Sequence, residues 1–193
     1  MEKKNETQQP GTQSGFISSN QPSEDLVRFN YHLDNEGLIN RQINLELHAS
    51  YVYMAMAHYF NRPNVALKGH YDFFQKMSKE EQEHANKFME YQNKRGGTIV
   101  LLDLKKPQQQ SWRSPLEAHE MALQLEKDVY QALLEIHTSA TEHHDPHLTN
   151  FLEDEFLNEQ VKSLDEFARY ITNLRRAGPG LGEYIFDKEE LQE

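Results

Sequence analysis

Glu80-Glu81-Gln82-Glu83-His84 is an acidic run that ends in histidine. Glu81 and His84 stand three residues apart, so on a helix both leave the same face and can hold one cation between them. That face is otherwise apolar: Phe74 and Met77 precede the pair, and Ala85 and Phe88 follow it at helical spacing. A carboxylate buried there without a partner costs several kcal/mol, so it calls for a cation or a proton. Two more glutamates are in the same position. Glu46 shares a face with Ile39, Ile43, Ala49, Tyr53, Ala57 and Phe60, and Glu126 with Ala122, Leu123, Val129, Tyr130 and Leu133. Packing alone gives no reason to bury carboxylates on three helices. A cation site does.

The polar core positions repeat. Glu46 precedes Glu81 by 35 positions and Glu126 precedes Gln160 by 34, so the chain reads as two copies of one helical hairpin. Di-metal carboxylate bundles take a glutamate from each of two helices and Glu-x-x-His from each of the other two. The first hairpin has its full set in Glu46, Glu81 and His84. The second has Glu126, but its Glu-x-x-His is replaced by Gln160-Val161-Lys162-Ser163. One cation would then have Glu46, His84 and a shared Glu81. The other would have Glu126 and Glu81, with Gln160 as a weak neutral ligand or a hydrogen bond to bound water. The second cation is expected to be held loosely. Oxygen ligands with one imidazole and open positions suit iron, manganese or zinc, and iron among them brings redox chemistry with dioxygen. Tyr53, two turns from Glu46, is open between two roles, a donor to a ligand carboxylate and an ordinary core tyrosine.

Apolar periodicity and break signals predict helices over about 33–60, 65–94, 115–142 and 146–176, with a short terminal helix over 181–190. Asn61-Arg62-Pro63-Asn64 interrupts the first pair, and Gly96-Gly97 ends the second helix in the left-handed conformation glycine readily takes. Ser114-Pro115-Leu116-Glu117 combines an N-cap serine, a first-turn proline and a capping-box glutamate. Asp145-Pro146 starts the fourth helix and Gly178-Pro179-Gly180 stops it. Residues 98–113, TIVLLDLKKPQQQSWR, form a connection long enough to cross the length of a bundle, and Val100, Leu101 and Leu102 in it suggest a partner surface. Helices of roughly 28 residues are ~40 Å long at 1.5 Å per residue. The expectation is an all-α four-helix bundle with one long crossover and a short fifth helix.

At 193 residues and 37% hydrophobic, the chain suits one domain with a full core. Residues 1–24, rich in Gln, Ser, Asn, Gly and Pro, are expected to be a disordered extension. A net charge of −11 argues against nucleic acid and in favour of cations as partners. The absence of cysteine excludes disulfides, thiolate metal sites and cysteine nucleophiles, and fits a reducing compartment. No apolar run reaches the ~18 to 20 residues of a membrane span, and MEKKNETQQPGTQSG has no apolar signal region. A cytoplasmic location is expected.

The segments INRQINLELHASYVYMAMAHYF, KEEQEHANKFMEYQNKRGG, LQLEKDVYQALLEIH and DPHLTNFLEDEFLNEQVKSL resemble eukaryotic ferritins of the heavy, iron-oxidising type. The resemblance runs from about Leu26 to Leu191. It implies a hollow shell of twenty-four subunits that oxidises Fe(II) with dioxygen in each bundle and stores the ferric mineral inside. Carried over by position, Glu46 and His84 bind the first iron, Glu81 bridges, Glu126 holds the second, Gln160 orders oxygen or water, and Tyr53 supports Glu126. Glu80 and Glu83 match acidic residues the family uses for iron transfer and nucleation, although the pair also reads as a solvated helix face. Asn86 stands where the heavy type usually has a glutamate, which implies weaker nucleation. In the three-fold channel implied by the resemblance His137 and Glu153 match, while Asn150 replaces an aspartate and Thr149 a cysteine, so cation attraction through the pore is expected to weaken unless Asp154 or Glu155 compensates. Glu189 falls where vertebrate chains often place a histidine on the four-fold axis, and Leu181 and Ile185 keep the apolar face expected there. His143, His144 and His147 are expected to be exposed histidines without a metal.

Two rival readings make different demands on the sequence. A light-type storage subunit without enzymatic activity would have lost the set Glu46, Glu81, His84 and Glu126. A bundle oxygenase for an organic substrate would need both Glu-x-x-His motifs, and Ser163 argues against it. Whether the shell mixes with a second chain is open.

Overall fold

The computed structural model describes residues 26–192. The extension over 1–24 lies outside the described residues. Helix α1 spans Leu33–Phe60, α2 Lys68–Lys94, α3 Pro115–Glu142, α4 Pro146–Leu152, α5 Asn158–Ala177 and α6 Leu181–Glu189. Glu153–Leu157 forms a π-helical turn between α4 and α5, and the backbone stays helical at both joints, so the three segments are one rod. Among the described residues none forms a strand, and no helix is long and apolar enough to cross a membrane.

Local chemistry sets most boundaries. His32 caps α1 by accepting the Asp34 N–H, and Asp34 and Glu36 place negative charge in the first turn, where the helix dipole favours it. Ser114 caps α3 by accepting the Glu117 N–H at 3.2 Å, with Pro115 in the first turn. The Glu117 carboxylate accepts from Arg113 N at 2.6 Å, one residue before the position a capping box would use. Asp145 caps α4 by accepting the Leu148 N–H at 3.1 Å. Gly96, at φ +71°, ends α2 in the left-handed region.

Three expected boundaries are corrected. The second helix begins at Lys68 rather than Val65, because Val65 and Ala66 bond back to Arg62 and Ala66 turns to φ +54°, which no α-helix can include. The fourth helix ends at Ala177 rather than Arg176 and contains the π turn. The terminal helix ends at Glu189 rather than Glu190.

The long connection lies along α1. Asn40 bridges Thr98 O and Val100 N at 3.0 Å each, and His48 Nδ1 meets Lys105 O at 3.1 Å. The Tyr59 hydroxyl then donates to Trp112 O at the far end of α1. The crossover therefore brings α3 back antiparallel to α1, with α5 packed on α3. Val100, Leu101, Leu102 and Leu104 remain exposed.

The core consists of two apolar clusters. One holds Ile39, Ile43, Phe88, Val129, Leu133 and Phe156, and the other Ala49, Tyr53, Phe60, Phe74, Met77, Ala122 and Phe167. Along every rod the break between them falls at a polar residue: Glu46, Glu81, Glu126 and Gln160, all buried. The fold thus encloses a layer of carboxylates between two mainly apolar clusters.

Candidate metal centre

Glu46 is 1% exposed, Glu81 3% and Glu126 2%, so three carboxylates share an interior where a free charge is expensive. One ligand atom each from Glu46, Glu81 and His84 lie within 4.8 Å of one another. His84 Nδ1 is 3.2 Å from Glu81 Oε2. Gln42, one turn before Glu46, donates to Glu46 Oε1 at 2.7 Å, while Glu46 Oε2 has no hydrogen-bond partner. A buried carboxylate oxygen without a donor, facing a second carboxylate and an imidazole, is the arrangement a cation completes.

Glu126 forms the other half. The Tyr53 hydroxyl donates to its Oε1, and Gln160 Nε2 donates to its Oε2 at 2.5 Å and to its backbone carbonyl at 2.9 Å. Gln160 thereby spends its amide N–H groups on Glu126, and its carbonyl oxygen is the atom left to face a cation or water.

The charges confirm how crowded the layer is. Burial pushes Glu46 well above the usual carboxylate range, and Glu81 beside it pushes further. Burial also raises Glu81 well above that range, with Glu126 as the next cause. Glu126 is raised by burial but pulled back by its bonds from Tyr53 and Gln160. The Tyr53 phenol is driven far up by burial and then by Glu126, so it stays protonated and remains a donor. Burial thus shifts Glu46 and Glu81 toward their protonated forms, Glu126 less so because of its hydrogen bonds, and a cation shifts them back.

A pocket of about 160 Å³ opens onto the layer, lined among others by Lys76, Glu80, Glu81, His84, Glu126 and Glu159. Glu80 stands at its mouth, 3.4 Å from Lys76 Nζ. Glu83 is exposed and lines a neighbouring groove with Glu80, outside the buried group. Of the expected channel residues, His137 Nε2 and Glu153 Oε1 meet at 2.7 Å. Asn150 does not join them; its amide donates to Asp154 Oδ2 at 2.7 Å. Asn86 and Glu189 are exposed. His143, His144 and His147 do not form one cluster: His147 meets Tyr91 at 3.1 Å, while His143 meets Asp34.

Two contributors escape sequence reasoning. Gln42 has a faint signal, a polar residue four positions before a buried glutamate. Glu159 has a stronger one, an acid beside Gln160, and its Oε2 lies 3.3 Å from His84 Nε2. With Glu81 on the other nitrogen, His84 is held between two carboxylates.

A helical bundle whose core is split by a layer of three carboxylates, an imidazole and an amide defines a metal-handling carboxylate bundle protein. Residues 36–177 match the family model of the ferritin-like domain. Soma ferritin of Lymnaea stagnalis is 60% identical over 165 residues, covering 86% of this chain and 95% of that protein. The ferritin middle subunit of Aquarana catesbeiana is 54% identical over 170 residues, covering 86% of this chain and 97% of that protein. The chain belongs to the ferritin family, whose members store iron and assemble as shells.

Proposed function

We propose that the chain is a heavy-type ferritin subunit that oxidises Fe(II) with dioxygen inside its own bundle and delivers the product to a mineral stored in a shell of twenty-four copies. The observation that carries the proposal is the convergence of Glu46, Glu81 and His84 within 4.8 Å, with Glu126 buried beside them. Iron here is substrate. Glu46, Glu81 and His84 take one Fe(II); Glu126, Glu81 and the Gln160 carbonyl take the other. Each Fe(II) gives one electron, and dioxygen receives both. Because burial raises the carboxyl pKa values, iron uptake displaces protons from them. Tyr53 keeps its proton and holds the Glu126 carboxylate in place.

The unequal halves favour turnover over permanent binding. A neutral amide at Gln160, where the repeat would have a carboxylate, leaves the second Fe(III) short of charge compensation and free to leave. The exposed Val100, Leu101, Leu102 and Leu104 of the crossover and Leu181, Tyr184 and Ile185 on α6 are surfaces that assembly would cover. A cytoplasmic setting belongs to the same proposal, and fractionation of source cells tests it.

The double variant Glu81→Ala with His84→Gly is the test. Light scattering should give the same shell for parent and variant, while dioxygen uptake on Fe(II) addition should be fast in the parent and lost in the variant. A variant that oxidises at the parent rate, or a parent that is monomeric and takes up no dioxygen, overturns the proposal.

A further inference from the structure

Where α1 begins and α3 ends, three metal-capable side chains meet outside the buried layer. Asp34 Oδ2 lies 3.1 Å from His143 Nε2, across 109 positions of sequence, and 3.4 Å from His32 Nδ1. One ligand atom from each of the three lies within 4.8 Å of the others. Two ligand atoms that share a cation at roughly 2.0–2.2 Å stand about 2.8–3.6 Å apart at octahedral to tetrahedral angles. Both measured separations suit that spacing.

The frame around the three residues is tied on both sides. Asn30 Nδ2 donates to His144 O at 3.0 Å, and Ser139 Oγ donates to Asn35 Oδ1 at 2.7 Å, so the start of α1 is fastened to the end of α3. His32 and His143 are themselves the caps of those helices, and because His32 Nδ1 accepts the Asp34 N–H at 3.2 Å, a cation on that nitrogen replaces the cap bond. Their rings stack, with centroids 3.5 Å apart and 13° between planes. A cation binds an imidazole in the ring plane, so the stack has to open for both nitrogens to reach one ion. The His32 side chain, 49% exposed, has room to tilt.

We propose that His32, Asp34 and His143 form a second, surface cation site for a borderline divalent transition metal such as Zn(II). Two imidazoles and one carboxylate supply three positions, and water fills the rest. The buried centre offers three carboxylates to one imidazole. The surface set is richer in nitrogen and therefore prefers zinc, copper or nickel over the harder cations. Its ion pins the start of α1 to the end of α3 and stabilises the chain by mass action.

The test uses the assembled full chain with the buried centre disabled by Glu81→Ala and His84→Gly. Zn(II) is titrated against a competing chromophoric chelator, and Co(II) reports coordination through its visible spectrum. One Zn(II) per chain is expected, weakened by about tenfold or more in His143→Gln. His144→Gln, which alters the neighbouring histidine outside the cluster, should leave it unchanged. Equal affinity in His143→Gln and its parent overturns the site, as does an equal loss in His144→Gln, which would mark unspecific surface histidines. If His143→Gln fails to fold, crystals of the parent soaked in Zn(II) decide the matter. An anomalous peak between His32 and His143 supports the site and its absence overturns it.

Discussion

Tyr53→Phe isolates one contact in the polar layer. Tyr53 is fully buried, and its ring stacks on Phe74 at 6.0 Å, a packing that phenylalanine retains. What disappears is the hydroxyl that donates to Glu126 Oε1; Gln160 still serves Oε2 at 2.5 Å. A hydrogen bond to a charged group contributes about 1.5–3 kcal/mol. Glu126 is 2% exposed, so water cannot replace the lost donor. For a chain of this size each kcal/mol moves the melting temperature by about 2–4 °C. The metal-free variant should therefore melt roughly 3–12 °C lower, by scanning calorimetry on the assembled protein. A divalent cation offers Oε1 a new partner, so the deficit should shrink when Zn(II) is added to both proteins. Equal melting of the metal-free proteins, or a deficit untouched by Zn(II), would refute the assignment of Tyr53 as the support of Glu126.

Two further predictions concern the end of the bundle where α6 docks. His119 is fully buried with neither ring nitrogen bonded, and it faces the rings of His70, Phe73, Phe74, Phe167, Tyr170 and Phe186, so burial holds its pKa well below the usual value. Below about pH 6.5 the unfolded chain binds a proton there that the folded chain refuses, so stability drops by up to about 1.4 kcal/mol for each unit by which pH is lowered; above that value the group adds no pH dependence. His119→Met should remove this slope from denaturant melts between about pH 4 and 7, and an unchanged slope would refute the argument. Gly69→Ala would place a Cβ 2.2 Å from Asp187 O, a backbone atom that cannot swing aside. It should cost about 1–3 kcal/mol and make α6 more susceptible to limited proteolysis. A variant as stable and as resistant as the parent would show that α6 is not fixed at this contact.

Much of the scaffold was legible because each signal was local. Ser114-Pro115 and Asp145-Pro146 announced their helix starts, and Gly96 its helix end. Glu46, Glu81, Glu126 and Gln160 stood out because a polar residue in an apolar stripe needs a reason. The misses share a different origin. Nothing marks Ala66 as left-handed, since alanine is among the best helix formers, and the helix start was read three residues early. The π turn at Glu153–Leu157 has no local sequence signal; it carries Phe156 of one apolar cluster and precedes Gln160 of the polar layer. Glu159 reaches His84, and His143 reaches His32 and Asp34, only because helices distant in sequence pack together. Sequence marked the buried set Glu46, Glu81, His84 and Glu126; the meeting of His143 with His32 and Asp34, and of Glu159 with His84, came from the fold.

The central claim is that Glu46, Glu81, His84 and Glu126 hold two iron substrates in one layer. Crystals soaked anaerobically with Fe(II) and measured at the iron absorption edge test it most directly. The account predicts two anomalous peaks in each bundle. The stronger should lie among Glu46, Glu81 and His84, and the weaker between Glu81 and Glu126 beside Gln160. Bundles without a peak in that layer, while iron binds elsewhere on the chain, would contradict it.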